Sequence, residues 1–149
     1  MSAEDRVHAR LLLQWRLLRH EGYRESAYQD SLGYWTIGIG RMIDARAGGK
    51  VTPAEALYLL SNDMDEAERS LDAGLSWWRS LDPVRQSVLQ EMALNLGLPK
   101  LLKFHDTLQA IKDQRWADAK DGMLTSLWAE QVGRRANRLA EMMLTGREL

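Results

Sequence analysis

The chain has 149 residues, of which 45% are hydrophobic and 28% are charged, with a formal net charge of -1 and no cysteine. These values are typical of a single folded domain and exclude a disordered chain, while the lack of cysteine excludes disulfides and thiolate zinc sites. The near-zero charge argues against nucleic acid as a partner, because phosphate recognition usually needs a concentrated basic face.

We expect no signal peptide and no stable membrane insertion, because the aliphatic run at residues 11–13 is far too short for either. Its histidines, His8, His20 and His105, have no metal-ligand spacing. We therefore expect no metal, no organic cofactor and a monomeric protein.

The first predicted element is an amphipathic helix from about residue 4 to residue 20. Val7, Leu11, Trp15 and Leu18 follow each other at helical spacing and predict its buried stripe. Gly22 should end this helix. Such an apolar face favours packing against the later helices.

Residues 23–42 are rich in tyrosine, tryptophan, threonine and isoleucine, and they predict a β-hairpin with Asp30 in its turn. In the second strand, Thr36 shares a face with Tyr34 and Gly38, because side chains alternate along a strand. A glycine at 38 leaves space beside the threonine hydroxyl.

Helices dominate the rest of the chain. A long one should start at Thr52 and Pro53, where Glu55 completes a capping box, and continue to about Gly74. A second should run from the cap at Asp82 to a stop near residue 97. Shorter helices are predicted at about residues 106–112, 115–122, 126–132 and 134–144.

This order predicts an α+β fold within one domain, residues 1–149. A small N-terminal antiparallel β-sheet lobe would occupy about residues 22–50, and a linking helix about residues 52–73. The larger helical lobe would combine residues 1–20 with 75–149. An active-site cleft should lie between the two lobes.

Three polar residues, one just before the predicted hairpin and two within it, suit glycoside hydrolysis, which needs a proton donor and a second group that steadies water or positive charge. Glu21 ends the first helix, where the helix dipole disfavours its ionised form. Asp30 lies in an open turn, and the Thr36 hydroxyl would hold the attacking water. Singly, each has a simpler explanation as a solvated charge, a turn former or a strand former.

Taken together, residues 20–23, 27–33 and 34–40 (HEGY, AYQDSLG and YWTIGIG) resemble the catalytic segment of phage-type lysozymes. The resemblance implies that Glu21 is the general acid, that Asp30 is the second carboxylate and that Thr36 positions water. It extends over nearly the whole chain. One departure is Arg41, where the family commonly has histidine, and another is a short loop before the helix at Thr52.

Further positions are implied to lie near the substrate or the catalytic glutamate. The arginine that matches Arg135 faces the catalytic glutamate in the family, and the residue that matches Asn95 lies near the substrate. Tyr34 and Gln131 are weaker candidates for sugar contact. The basic cluster around Arg135 is equally well explained as a solvated helix face.

The tryptophans also permit two interpretations, sugar stacking or core packing. Trp77 and Trp78 could stack on sugars, but core packing is the preferred interpretation for them, and Trp15, Trp116 and Trp128 lie on apolar helical stripes.

The resemblance implies a lysozyme that cleaves the bond between N-acetylmuramic acid and N-acetylglucosamine in peptidoglycan glycan strands. We expect an endolysin that inverts the anomeric centre, because Asp30 and Thr36 are better arranged to hold a water than to attack the sugar. It would accumulate in the host cytoplasm and need a separate membrane pore protein to reach the wall in the periplasm. Two alternatives remain open: a lytic transglycosylase acting on the same bond, and a non-catalytic peptidoglycan-binding or phage structural module. A virion or secretion-machine lysozyme is also compatible with the sequence.

Overall fold

The computed structural model describes residues 2–33, 35–44 and 51–149. Its helices are α1 (Ala3–Glu21), α2 (Pro53–Gly74), α3 (Pro83–Leu96), α4 (Leu98–Leu101), α5 (His105–Lys112), α6 (Trp116–Leu124), α7 (Leu127–Val132) and α8 (Arg134–Thr145), with a short 3₁₀ helix at Trp78–Ser80. Its strands are β1 (Arg24–Gln29), β2 (Trp35–Gly38) and β3 (Arg41–Asp44). The prediction that helices dominate after the hairpin is confirmed, whereas α4 and the 3₁₀ helix were not predicted.

Local sequence signals determine several helix ends. At the start of α2, the Thr52 hydroxyl accepts from the Glu55 amide at 3.2 Å, and the Glu55 carboxylate accepts from the Thr52 amide at 3.1 Å. The Asp82 side chain caps α3 by accepting from the amide of Arg85 at 3.2 Å. The predicted capping box and cap are therefore confirmed.

The three strands form an antiparallel sheet in the order β1-β2-β3. Tyr28 on β1 and Met42 on β3 are the register partners of Thr36, so Thr36 lies on the central strand. The predicted hairpin is confirmed by the pairing of β1 with β2. The lobes and the cleft between them stay predictions.

The chain divides into two compact units, residues 1–13 with 67–149 and residues 14–66. In the first unit, α3 is buried over eight consecutive residues from Gln86 to Ala93. Trp78 and Trp128 are buried in its core, and Trp77 and Trp116 are partly buried and pack against that core. The preferred core interpretation is confirmed for these four tryptophans.

The prediction for the buried face of α1 is wrong. Val7, Leu11 and Trp15 are exposed, and the helix instead buries a side that contains Ala9, Leu13 and Leu17, along with Arg16. Both sets of apolar residues repeat every four positions, so periodicity alone does not select between them. In the observed orientation of α1, Arg10 forms an ion pair with Glu68 of α2, at 3.7 Å.

No helix in the described part of the chain combines the length and apolar character that crossing a membrane requires.

Candidate active site

Glu21 is the last residue of α1 and is half-buried. The helix ends there because Gly22 adopts the left-handed conformation, with φ +69°, while its amide still donates to the carbonyl of Leu18 at 3.2 Å. The predicted stop at Gly22 is confirmed. The Glu21 side chain is thus attached where a rigid helix gives way to β1.

The turn after β2 closes directly onto Glu21. A methyl group built on Gly40 would lie 2.9 Å from Cγ, Cδ and Oε2 of Glu21, which is closer than carbon atoms normally approach. The backbone of Gly40 therefore borders the carboxyl group with no side chain between them. Its φ of +76° independently favours glycine.

Gly40 is a functional candidate that the sequence reasoning missed. The available signal was its place as the last glycine of the TIGIG segment, residues 36–40. A glycine inside a β-rich segment often marks a close backbone approach. Only the folded chain shows that the group it approaches is Glu21.

Asp30 lies in the turn between β1 and β2, as predicted. Its Oδ1 accepts from the amide of Leu32 at 2.9 Å, and its main-chain oxygen accepts from the amide of Gly33 at 3.0 Å. These bonds form an Asx turn that sets the direction of the half-buried carboxylate. Asp30 is therefore a turn former, and this role is compatible with a second one in catalysis.

Thr36 is buried on the central strand. A buried hydroxyl is normally hydrogen-bonded. Because Thr36 is buried, a water held by its hydroxyl would be enclosed by protein and would not be part of bulk solvent. Glu21, Asp30 and Thr36 all belong to the unit of residues 14–66. Their catalytic roles stay predictions.

The second-rank candidates Asn95, Gln131 and Arg135 belong to the other unit. Asn95 at the end of α3 accepts a hydrogen bond from Nε1 of Trp128 at 2.7 Å, and Trp128 meets Phe104 edge to face. Asn95 and Gln131 are both exposed. Tyr34 lies outside the described residues.

Arg135 on α8 is paired with a carboxylate that the sequence reasoning did not select. Its Nε lies 3.6 Å from Oε1 of Glu91, and Glu91 is only 1% exposed. A carboxylate buried on α3 needs such compensation, since an isolated charge is costly away from water. The sequence signal was a glutamate flanked by apolar residues of α3, with Leu89 two positions before it and Met92 directly after it. The predicted pairing of Arg135 with Glu21 stays a prediction.

Comparison with known proteins identifies the family. The phage lysozyme family matches residues 18–142. A probable T4-type lysozyme 1 of Dictyostelium discoideum is 28% identical over 152 residues, covering 85% of this chain and 89% of that protein.

Two longer phage proteins also match. The pre-baseplate central spike protein Gp5 of Enterobacteria phage T4 is 30% identical, with 87% of this chain aligned to 27% of its length. The peptidoglycan hydrolase gp36 of Pseudomonas phage phiKMV is 32% identical, with 89% of this chain aligned to 15% of its length. Because the family match covers most of the chain and includes Glu21, Asp30, Thr36 and Gly40, this protein belongs to the phage lysozyme family.

Proposed function

We propose that this protein is a peptidoglycan-cleaving lysozyme that hydrolyses the bond between N-acetylmuramic acid and N-acetylglucosamine. The family supports a glycosidase, and the relative from phage phiKMV is named a peptidoglycan hydrolase. The observation that carries the proposal is the approach of Gly40 to Glu21. The backbone of Gly40, which has no side chain, lies directly against one side of the Glu21 carboxyl group.

In the proposed reaction, the Glu21 carboxyl donates its proton to the glycosidic oxygen as the bond to the anomeric carbon breaks. Asp30 and Thr36 hold a water on the opposite face of the sugar, and Asp30 takes a proton from it as it attacks. The anomeric configuration is inverted. An inverting pair should have its carboxyl groups about 6.5 to 9.5 Å apart, against about 5 to 5.5 Å for a retaining pair.

Substitution of Glu21 by glutamine tests the general acid, because an amide fills the same space but does not donate the proton. We expect turbidity clearing of a cell-wall suspension to fall by about 10² to 10⁴-fold, with an unchanged circular dichroism spectrum. Glu66→Gln, at an exposed position of α2, is the matched control and should retain activity. More than about a tenth of wild-type turnover in Glu21→Gln contradicts the assignment.

The products separate the proposed mechanism from its alternatives. An inverting hydrolase releases the α-anomer first, which chromatography of fresh digests detects. Products with 1,6-anhydro ends would instead identify a lytic transglycosylase. Binding to cell walls without any product would identify a non-catalytic module.

We further propose an endolysin role in which the protein accumulates in the host cytoplasm and reaches the wall through a pore made by another protein. Cytoplasmic expression alone should then leave cells intact, and co-expression of a membrane pore protein should cause lysis. Lysis that also follows co-expression of Glu21→Gln would contradict a role for the enzyme.

A second candidate role is that of a lysozyme carried within a virion. The match to part of the T4 spike protein supports this role.

A further inference from the structure

Leu32 is an exposed leucine at the tip of the turn between β1 and β2. It is 69% exposed, and its neighbours Ser31 and Gly33 are exposed too. Turns of this kind favour glycine, asparagine, aspartate and serine, which suit the backbone and are readily hydrated. The leucine side chain has no part in closing the turn, because the closing bond uses only the main-chain amide of this residue. A single exposed leucine is ordinary, so its significance depends on what lies beside it.

The carboxylate of Asp30 lies beside Leu32. The Leu32 amide donates to Oδ1 of Asp30 at 2.9 Å, and the N–Cα bond adds about 1.46 Å, so the Leu32 Cα is at most about 4.4 Å from that oxygen. Two further bonds brace the turn. The Gly33 amide donates to the main-chain oxygen of Asp30 at 3.0 Å, and Nε2 of Gln29 donates to the main-chain oxygen of Gly33 at 3.4 Å. The leucine is therefore held next to the proposed second carboxylate.

The proposed reaction determines which part of the substrate reaches Asp30, and this step rests on the proposed function. Water attacks the anomeric carbon of N-acetylmuramic acid, because the oxygen of N-acetylglucosamine is the leaving group. Asp30 holds that water, so the muramic acid is the sugar beside it. This sugar carries a lactyl group, to which the stem peptide is joined through an alanine. We call the lactyl group and this alanine the muramyl arm.

The muramyl arm presents methyl groups, which are the kind of surface that a leucine contacts favourably. Both sugars of the strand carry an acetyl methyl group, whereas only muramic acid carries the arm. We propose that Leu32 packs against the muramyl arm and thereby favours glycan strands that carry stem peptides. The contact adds affinity without taking part in proton transfer. Leu32 is thus a specificity-determining residue, and the proposed chemistry stays with Glu21 and Asp30.

Binding to two forms of soluble glycan strand tests the contact, one with its stem peptides and one from which an amidase has removed them. All variants are made in the Glu21→Gln protein, so that the strands are not cleaved during calorimetric titration. Leu32→Ser should weaken binding to peptide-bearing strands by about three- to tenfold, because apolar contact is lost, and should change binding to stripped strands by less than about twofold. Leu32→Met keeps an apolar side chain of similar size and should bind as its parent does.

Leu57→Ser, at a 46% exposed leucine of α2, is the matched control and should also bind as its parent does. Unchanged binding of Leu32→Ser to peptide-bearing strands overturns the proposal. Equal weakening towards both kinds of strand also overturns it, because the contact would then be with the sugar itself. Equal loss in Leu32→Met would show that the turn has changed shape, and it overturns the proposal as well.

The proposed function fails in a different measurement. It requires wild type to release products from peptidoglycan, whereas the affinities are compared without turnover. A difference between the two kinds of strand that depends on Leu32 therefore supports the contact even where wild type releases no product. Product release with no such difference supports the proposed function and overturns the contact.

Discussion

Replacing Gly40 by alanine should damage activity far more than stability. The new methyl group would lie 2.9 Å from three atoms of Glu21, whereas carbon atoms pack at about 3.5 to 4.0 Å. The glutamate side chain must therefore move by about 0.5 Å or more. Because this side chain is flexible, the movement itself costs little folding free energy. The left-handed backbone at residue 40 adds about 1 to 2 kcal/mol for any residue with a Cβ.

The effect on catalysis follows from the displacement of the proposed acid. A misplacement of about 1 Å can cost a hundredfold in rate, so a shift of half that size should lower kcat/KM by about 10-fold to 100-fold. Gly33→Ala is the matched control, because Gly33 has a similar φ of +82° but open space around it. Alanine there also retains the amide that donates to Asp30.

Thermal unfolding and turbidity clearing, both measured on the same preparations, separate the two effects. Each variant should unfold about 2 to 8 °C below wild type. Only Gly40→Ala should lose activity at temperatures where both proteins are fully folded. Activities within about twofold of each other would refute the argument that Gly40 makes room for the Glu21 carboxyl.

Two further predictions concern charged pairs in the other unit. A hydrogen bond from Arg79 lowers the pKa of Asp72, so this carboxylate stabilises the fold above its unfolded pKa and loses that contribution as the pH falls through the folded value. Asp72→Asn should lower the free energy of urea unfolding by less than about 1 kcal/mol at pH 7, because the side chains of the pair are 26% and 45% exposed and solvent screens them. The deficit should shrink as the pH is lowered below the usual carboxylate range, and a deficit that does not change with pH contradicts the ion pair. Arg135→Ala removes the guanidinium that lies beside the buried carboxylate of Glu91 and should lower the free energy of unfolding by about 3 to 5 kcal/mol. The double variant with Arg135→Ala and Glu91→Gln should regain much of the stability but not the activity. If it also regained activity, Arg135 would have a structural role alone.

The candidate site illustrates how far local sequence signals reach. Glu21, Asp30 and Thr36 were selected from chemical type and from a short segment of characteristic spacing. Gly40 lies in the same segment but has no functional group, so chemical type did not select it. Its role depends on its approach to Glu21, nineteen residues earlier in the chain.

By itself, the sequence determined the features that depend on neighbours within about four residues. The helix starts at Thr52 and Asp82 and the turn at Asp30 are of this kind, because a cap or a turn is completed by the amides that immediately follow it. Such bonds form wherever the segment lies in the fold. The predicted positions of these features therefore agree with the structure.

Only the tertiary structure decided which face of α1 is buried and which charge compensates Glu91. Both sides of α1 have apolar residues at helical spacing, and the choice between Leu13 and Leu11 depends on what the rest of the chain packs against them. The pairing of Glu91 with Arg135 likewise joins residues on different helices. Burial and compensation are properties of the assembled core, because they depend on contacts between segments that are distant in sequence.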